Sequence, residues 1–499
     1  MKFFKSYAST CTAFGLSLVL SLAVVAMISC GGSTTSSNSS MGTVQTSLSD
    51  PPTCSQLPNG MGLDHVYVTI TKVEANLSAT SNSGWQTLVD LTSNPKQVDL
   101  MTLNPSATPN FCGTLYMLSK TQLPPGKYQQ IRVTLMPNTG TVSGNVCSAG
   151  VNCVVPSGSS TNYELQLSSE AQTGIKIPAS QIADGGLTVT AGQNVDFNID
   201  FNSCASVVRE GNGQYRLKPV LHAGEVSINN SVISGTVVDS STKNPIEGAL
   251  VLLEQPDPND SSTDRVIISG TTESDGSFSF CPLPASNTNF DIVVAAQTTT
   301  SGTVTTTTTY NPTVLFGVPI GSQVGNIPLY AETAGAATTT CTVGSSCPGT
   351  ISGQISSTSG GTPVAGSVQV SALESVSNGS SNINMTIPLF MATSQPPDFT
   401  TASGTTCPSG TDCTPYSLLA PASSPAIGTY SSSSISFTPP ASTSQATYTI
   451  NGVADGSNGL LTCTSSPMNS NNVTVSSGTV INATTEPTLN FDFTGCTAP

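Results

Sequence analysis

Charge is what this chain has least of: charged residues are 8% of 499, aromatics 5%, with one tryptophan and two histidines. The two histidines, His65 and His222, lie 157 positions apart, so a histidine-based triad or zinc site is not expected. Gly-x-Ser-x-Gly, His-Glu-x-x-His, Gly-x-Gly-x-x-Gly and phosphate-loop patterns are all missing, as is any Cys-x-x-Cys. After the amino-terminal segment no run of about 18 apolar residues occurs, so no further bilayer-spanning helix is expected. Basic residues are scarce as well, 13 against 28 acids for a net charge of −15. That sign repels phosphate backbones and argues against nucleic acid as a partner. Apolar residues at 37% nevertheless supply enough to bury, which argues against wholesale disorder.

What is present begins with an address. Lys2 and Lys5 precede an apolar run from Ala13 to Ile28, followed by Ser29-Cys30-Gly31-Gly32. A charged start, an apolar centre and small residues before a cut make a secretory signal over residues 1–29. Cys30 directly after that cut resembles the lipobox of bacterial lipoproteins. The resemblance implies a diacylglycerol on the Cys30 thiol and a membrane partner through that lipid anchor. Gly31, rather than an acid, follows the lipid site and points to the outer membrane more than the inner. Residues 30–42, rich in Ser and Gly, read as a flexible tether. With the signal removed, 11 basic and 28 acidic residues remain, a balance of −17.

The remaining cysteines suit an oxidising compartment. Cys147/Cys153, Cys341/Cys347 and Cys407/Cys413 each enclose five residues and could staple surface loops. Cys54 with Cys112 and Cys463 with Cys496 are the natural partners inside their own segments, while Cys204 and Cys281 stay unassigned.

Residues 43–228 alternate with period two. Val66, Val68 and Ile70 share a face, and Val195-Asp-Phe-Asn-Ile-Asp-Phe201 puts Val195, Phe197, Ile199 and Phe201 inward, with Asp196, Asn198 and Asp200 outward. That is the pattern of half-buried antiparallel strands; only Leu100–Leu103 suggests a helical turn. Several stretches carry a family resemblance, in order: Val44–Asp50, His65–Ile70, Gln97–Leu100, Leu123–Val133, Gln172–Lys176, Val195–Phe201 and Tyr215–Val220. The segment resembles an extracytoplasmic family known as domain of unknown function 4382. That implies an all-β envelope domain and supplies no activity.

Residues 229–332 contain Ile233-Ser-Gly-Thr-Val-Val-Asp239, Pro245–Leu252, Thr271–Phe280 with a central Asp275-Gly276, and Phe290–Ala295. They resemble the carboxypeptidase regulatory-like domain, a transthyretin-type β-sandwich with carbohydrate-binding relatives. Asp275-Gly276 predicts a tight hairpin, and Phe278 and Phe280 predict one buried face. A shift of 118 residues superposes Ile233-Ser-Gly on Ile351-Ser-Gly, Pro245 on Pro363, Gly248 on Gly366, and Leu250 and Leu252 on Val368 and Val370. Phe290 meets Tyr448 at a shift of 158. Residues 349–499 therefore read as a second, divergent sandwich, after a linker at 333–348.

The fold class expected is all-β: several antiparallel β-sandwich domains in tandem after a lipoprotein signal peptide and tether. No catalytic residue, metal ligand or cofactor is assigned. His65 and His222 read as structural or surface residues, Trp85 as core packing rather than a sugar platform. Asp257, Asp260 and Asp264 share a loop of calcium-compatible oxygens without a calcium motif. The function expected is non-enzymatic: a cell-envelope lipoprotein displaying modules for binding or adhesion, to carbohydrate or an envelope protein. The alternatives are a structural spacer or a hydrolase with an acidic site.

Overall fold

The computed structural model describes residues 41–50, 62–103, 115–167, 171–209, 213–226, 232–257, 260–281, 283, 288–300, 306–332, 348–364, 366–391, 399–401, 413–441, 445–454 and 462–497. The signal, Cys30, Cys54, Cys112, Cys341, Cys347, Cys407 and all but the last residue of the linker expected at 333–348 lie outside them. The fold is all-β; among the described residues the amino-terminal part has two main sheets and a two-stranded ribbon of Leu187–Val189 with Gly126–Tyr128, and a set of interlocked sheets lies beyond it.

In the first part a four-stranded sheet runs in the order Leu221–Glu225, Asn194–Phe201, Gly42–Ser49, Tyr116–Leu123. A larger sheet is organised by Leu63–Asn76, which pairs with Gln86–Asp90, Lys96–Asp99, Gln130–Leu135 and Cys153–Pro156. Alternation decides which residues lie between the sheets. Val66, Val68 and Ile70 from one, and Phe197, Ile199 and Phe201 from the other, are fully buried in one cluster. Not all pairing is antiparallel: Gly42–Ser49 lies parallel to Asn194–Phe201. Leu100–Leu103 forms a 3-10 turn.

The outward face expected for Asp196, Asn198 and Asp200 is only partly exposed. Asp196 faces solvent, but Asn198 and Asp200 are 4% and 5% exposed. Asn198 donates to Ser49 Oγ at 2.7 Å. Close by, Asn202 donates to Ser269 O at 2.9 Å, and Arg265 donates to the carbonyls of Ala179 and Ile182 at 3.3 and 3.4 Å. The next module covers this end of the sheet, which a strand pattern read in isolation could not anticipate.

The repeat seen in sequence is a repeat of strand topology. Ile233–Asp239 pairs parallel with Ser322–Glu332 and antiparallel with Ser277–Phe280. Correspondingly, Gly349–Ser359 pairs parallel with Val480–Asn482 and Phe491–Phe493 and antiparallel with Thr414–Ala420. Leu250–Asp257 is flanked by Asp260–Thr271 and Phe290–Ala295, as Gly366–Ser377 is by Asn382–Ile387 and Gln445–Val453. Gly235 carries no Cβ for a packing reason, since one would stand 2.6 Å from Val324 Cγ2 and 2.8 Å from the Phe278 ring. Phe278 and Phe280 are buried as expected.

The Asp275-Gly276 turn differs from expectation. Only Gly276 has positive φ (74°), and the strands it joins pair with different neighbours, so it carries the chain between sheets and closes no hairpin. A larger difference concerns the boundary between the copies. Ala426–Thr429 leaves the later module to pair parallel with Thr313–Val318 of the earlier one, and Thr263 pairs with Asn384. The result is one eleven-stranded sheet running through both. Leu252, Val293, Val314 and Phe316 turn one face of the earlier module into the core of the later one. Their neighbours Val251, Leu253, Ile292, Val294 and Leu315 fill the earlier module's own core.

Candidate binding groove

The later module opens a cavity of about 630 Å³ where a strand pairing is interrupted. Gly349–Ser359 runs beside Val480–Asn482 up to Ser352 and resumes with Phe491 at Ile355; the intervening chain bows away over Gly353. Gly353 permits this because a Cβ there would collide with Leu489 O and the Tyr416 hydroxyl. Ser352, Gly353 and Gln354 form the floor, Pro415 to Ser417 one wall, and Asn482, Thr484 and Asn490 the other. No charged side chain lines it. Tyr416 is not a stacking platform, being 2% exposed, hydrogen-bonded to Leu489 O at 2.7 Å and stacked on Phe491. Asn490 Oδ1 accepts the Gln354 N–H at 3.1 Å and Asn482 Oδ1 accepts Thr484 N–H at 3.0 Å, which leaves both Nδ2 groups as donors. The chemistry on offer is that of hydroxyls and amides in a charge-free groove.

A second cavity, about 420 Å³, lies in the first part, lined by Tyr67, Asn94, Lys96, Gln97, Asp99 and Ser143 among others. Two of the sequence landmarks meet here, because Leu63–Asn76 and Lys96–Asp99 pair with Tyr67 opposite Asp99. Asp99 accepts from Val66 N and Met101 N through Oδ1 and contacts His65 Nδ1 through Oδ2 at 2.7 Å. The imidazole stacks on Tyr67, with centroids 5.5 Å apart. Burial, with the Asp99 charge second, raises the Tyr67 phenol. Gln97 fastens the neighbouring loop, donating to Asn145 and Val151 O and accepting from Val146 N. The Cys147–Cys153 disulfide closes that loop.

His65, expected as a structural or surface residue, is part-exposed and held in place by Asp99. Its partner lies 34 residues away, and only the strand register joins them. His222 sits at 6% exposure with Nδ1 unpartnered, and burial followed by the Arg265 charge lowers its pKa to about 4. Trp85 is outside the core: it is half-buried, with Arg132 4.2 Å above its ring and its Nε1 donating to Asn82 O. Asp257, Asp260 and Asp264 do not converge. Asp260 caps an exposed turn through Ser262 and Thr263, while Asp264 is 1% exposed in the sheet. Among the described residues no three His, Cys, Asp or Glu side chains are placed to hold a metal ion. Cys463–Cys496 is bonded, and Cys281, unassigned from sequence, and Cys413 are also in disulfides. No helix among the described residues is long and apolar enough to cross a membrane.

Comparison with known proteins adds one assignment. No curated protein matches the chain. Among solved structures, the Bacillus anthracis TIE protein is similar at 9% identity over 89% of this chain, with a TM-score of 0.14. The chain spans 50% of that protein's length. The shaft pilin SpaA of Lactobacillus rhamnosus GG is similar at 12% identity, over 59% of this chain and 99% of its own, with a TM-score of 0.15. The minor pilin GBS52 of Streptococcus agalactiae stands at 11%, covering 54% and 97%, with a TM-score of 0.16. Overlaps this low carry no argument about fold or function. Residues 41–219, in contrast, match the family described as domain of unknown function DUF4382, and this part of the chain is such a domain.

Proposed function

We propose that this chain is a non-enzymatic, exported envelope protein, lipid-anchored through Cys30 at the outer membrane, whose later module binds neutral glycan. The observation that carries the binding reading is the uncharged groove over Gly353, with its amide and hydroxyl lining. Neutral polyols are recognised by such groups, and a site with few charges demands little desolvation of ions on binding. The lipid reading rests on the Ser29-Cys30-Gly31 junction after an apolar run, and the paired cysteines suit an exported protein. The resemblance of residues 229–332 to carboxypeptidase regulatory-like domains supports a module for display.

Neutral and acidic oligosaccharide arrays probed with the full chain test this reading. The expected result is retention of a neutral glycan that Gln354→Ala and Asn482→Ala each weaken about tenfold. Absence of any glycan binding by the folded chain overturns it and leaves the spacer reading. Mass spectrometry of the purified amino terminus tests the anchor separately, through the diacylglyceryl mass on Cys30. The hydrolase reading draws on the Asp99-oriented His65 beside the second cavity. Ester and amide substrate panels that His65→Ala leaves unchanged would remove it.

A further inference from the structure

None of the 234 residues after Arg265 is Lys, Arg or His, yet they include ten acids. An acid that this half of the chain buries has no basic partner within it. Three of these acids, Asp291, Glu332 and Glu374, together with Glu254 and Asp264 just before Arg265, are nevertheless at or near the seam between the two later modules, in two nests.

The first nest lies on the face of the eleven-stranded sheet that meets the later module. Leu252 and Glu254 share that face, Val293 and Asp291 stand opposite them, and Asp264 stands opposite Pro256. Glu254 is 0% and Asp264 1% exposed. Glu254 Oε2 accepts only the Thr386 N–H of the later module, at 3.2 Å, and its Oε1 meets no hydrogen-bond donor; the Asp264 carboxyl has no partner other than the carboxyl of Asp291, with which it shares a proton. Asp291 Oδ1 accepts Gly317 N–H at 2.7 Å. The second nest joins Glu332 of the earlier module to Glu374 of the later. Glu332 Oε1 accepts Ala422 N–H at 2.9 Å, and Glu332 Oε2 and Glu374 Oε2 are buried without donors. Tyr448, opposite Glu374 and near both carboxyls, donates its own hydroxyl to Pro421 O at 2.9 Å.

The other charged groups on these elements do not neutralise either nest. Leu250–Asp257 adds half-buried Asp257, and Asp260–Thr271 adds exposed Asp260 and Arg265. Arg265 follows Asp264 on the strand and therefore points to the opposite face, where it donates to Ala179 O and Ile182 O. Ser322–Glu332 contributes only the phenol of Tyr330 besides Glu332, and Phe290–Ala295 only Asp291. Thr313–Val318 and Asn382–Ile387 carry no charge, Gly366–Ser377 only Glu374, and Gln445–Val453 only Tyr448.

We infer that the joint between the two later modules is held shut by protons: its buried carboxyls are neutral when the modules are docked, and their ionisation opens the seam. Removing a carboxylate from water without a partner favours the protonated form. Burial accordingly lifts Glu254 well above the carboxylate range and, with Asp291 as second cause, holds Asp264 at about 8. Burial likewise takes Glu332 to about 7 and Glu374 to about 8. The sign follows. Each folded-state pKa exceeds its unfolded value, so the seam's stability is complete below about pH 4 and declines as pH climbs toward 8. This inference does not depend on the glycan reading, since the groove over Gly353 contains none of these acids.

Hydrogen exchange on the full chain tests it, with protection factors corrected for the intrinsic pH dependence. Leu250–Asp257 and Asn382–Ile387 should lose protection between pH 5.5 and 8.5, by up to about tenfold per pH unit for each proton released. Leu63–Asn76, in the core of the first domain, should keep a pH response that variants at the seam leave unchanged. Glu254→Gln and Asp264→Asn keep the shape of the side chain and should each reduce the slope; Glu374→Gln should do so through the second nest. A seam whose protection is independent of pH overturns the inference, as does a slope unchanged in all three variants. So does a slope abolished by millimolar calcium, because a bound cation would then neutralise the carboxyls in place of protons.

Discussion

Glu74 and Glu254 both sit on a strand inside a sheet, 6% and 0% exposed, and the protein neutralises them by different means. Glu74 has ionic partners: Lys72 reaches Oε1 at 2.7 Å, and Arg132 reaches Oε2 through Nε at 3.0 Å and Nη2 at 2.6 Å. Burial opposes its ionisation, but these hydrogen bonds and charges prevail and hold Glu74 below the usual carboxylate range. Glu254 has one backbone N–H and no cation, and burial pushes it the other way. The first domain places two cations against Glu74 and buries a carboxylate there; the later modules place neither Lys243 nor Arg265 against Glu254 and bury a carboxylic acid. The two glutamates thus respond to pH in opposite senses, although the first domain also buries Asp50 and Asp200, which burial pushes upward as it does Glu254.

The largest effect that sharpens this contrast should come from a region that has no ion pair among its described residues and is closed covalently. Cys463 and Cys496 close a 33-residue interval, and chain-entropy arguments give such a loop about 3–4 kcal/mol. Replacing both by Ser should lower the unfolding free energy of the later modules by roughly that amount in chemical denaturation. The same change at Cys147 and Cys153, six residues apart, should remove only about 2 kcal/mol from the first domain.

Next comes the ion pair itself. Arg132→Ala removes the bidentate partner of Glu74 and uncovers the Trp85 ring. Because Lys72 remains and Arg132 is 23% exposed, the loss should be about 2 kcal/mol, at the low side of what breaking a buried pair costs. Trp85 fluorescence should shift with it. Glu254→Gln should do the reverse at pH 8, stabilising the later modules by about 1 kcal/mol, since the amide cannot ionise. The pH responses should also oppose one another. Glu74 contributes stability above its unfolded value near 4 that is lost as pH falls, whereas the seam loses its stability as pH rises. Exchange at Leu63–Asn76 below pH 4 and at Leu250–Asp257 above pH 6 measures both in one protein.

How far the sequence foretold this depends on the range of the interaction. Period-two patterns read locally gave Val66, Val68, Ile70, Phe197, Ile199, Phe201, Phe278 and Phe280 as core, and all are buried. The 118-residue repeat corresponds to matching strand pairings, because hydrophobic spacing and Gly235 encode where a strand must lie close to its neighbour. Three things were not legible. Asn198 and Asp200 follow the strand alternation faultlessly but lie where another module covers them, which no single strand records. His65 and Asp99 meet only through the register of two strands. The passage of Ala426–Thr429 into the earlier module is a long-range pairing in which a few residues decide the partner. The absence of basic residues after Arg265 was legible, and it becomes informative only once Glu254, Asp264, Glu332 and Glu374 are known to be buried.

The smallest predicted effect isolates what partnership at the surface contributes. Lys72 is 33% exposed and contacts Glu74 through a single oxygen, on the side away from Arg132's guanidinium. Lys72→Met keeps the aliphatic stem and leaves Glu74 with two hydrogen bonds to Arg132, so the loss should be only about 0.5 kcal/mol and should shrink in salt. If Lys72→Met instead costs as much as Arg132→Ala, the two cations act as one network around Glu74. The contrast with Glu254 would then lie in the number of cations as much as in their presence. A double-mutant cycle between Lys72 and Arg132 separates these cases: independent partners add, whereas a network loses most of its strength at the first substitution.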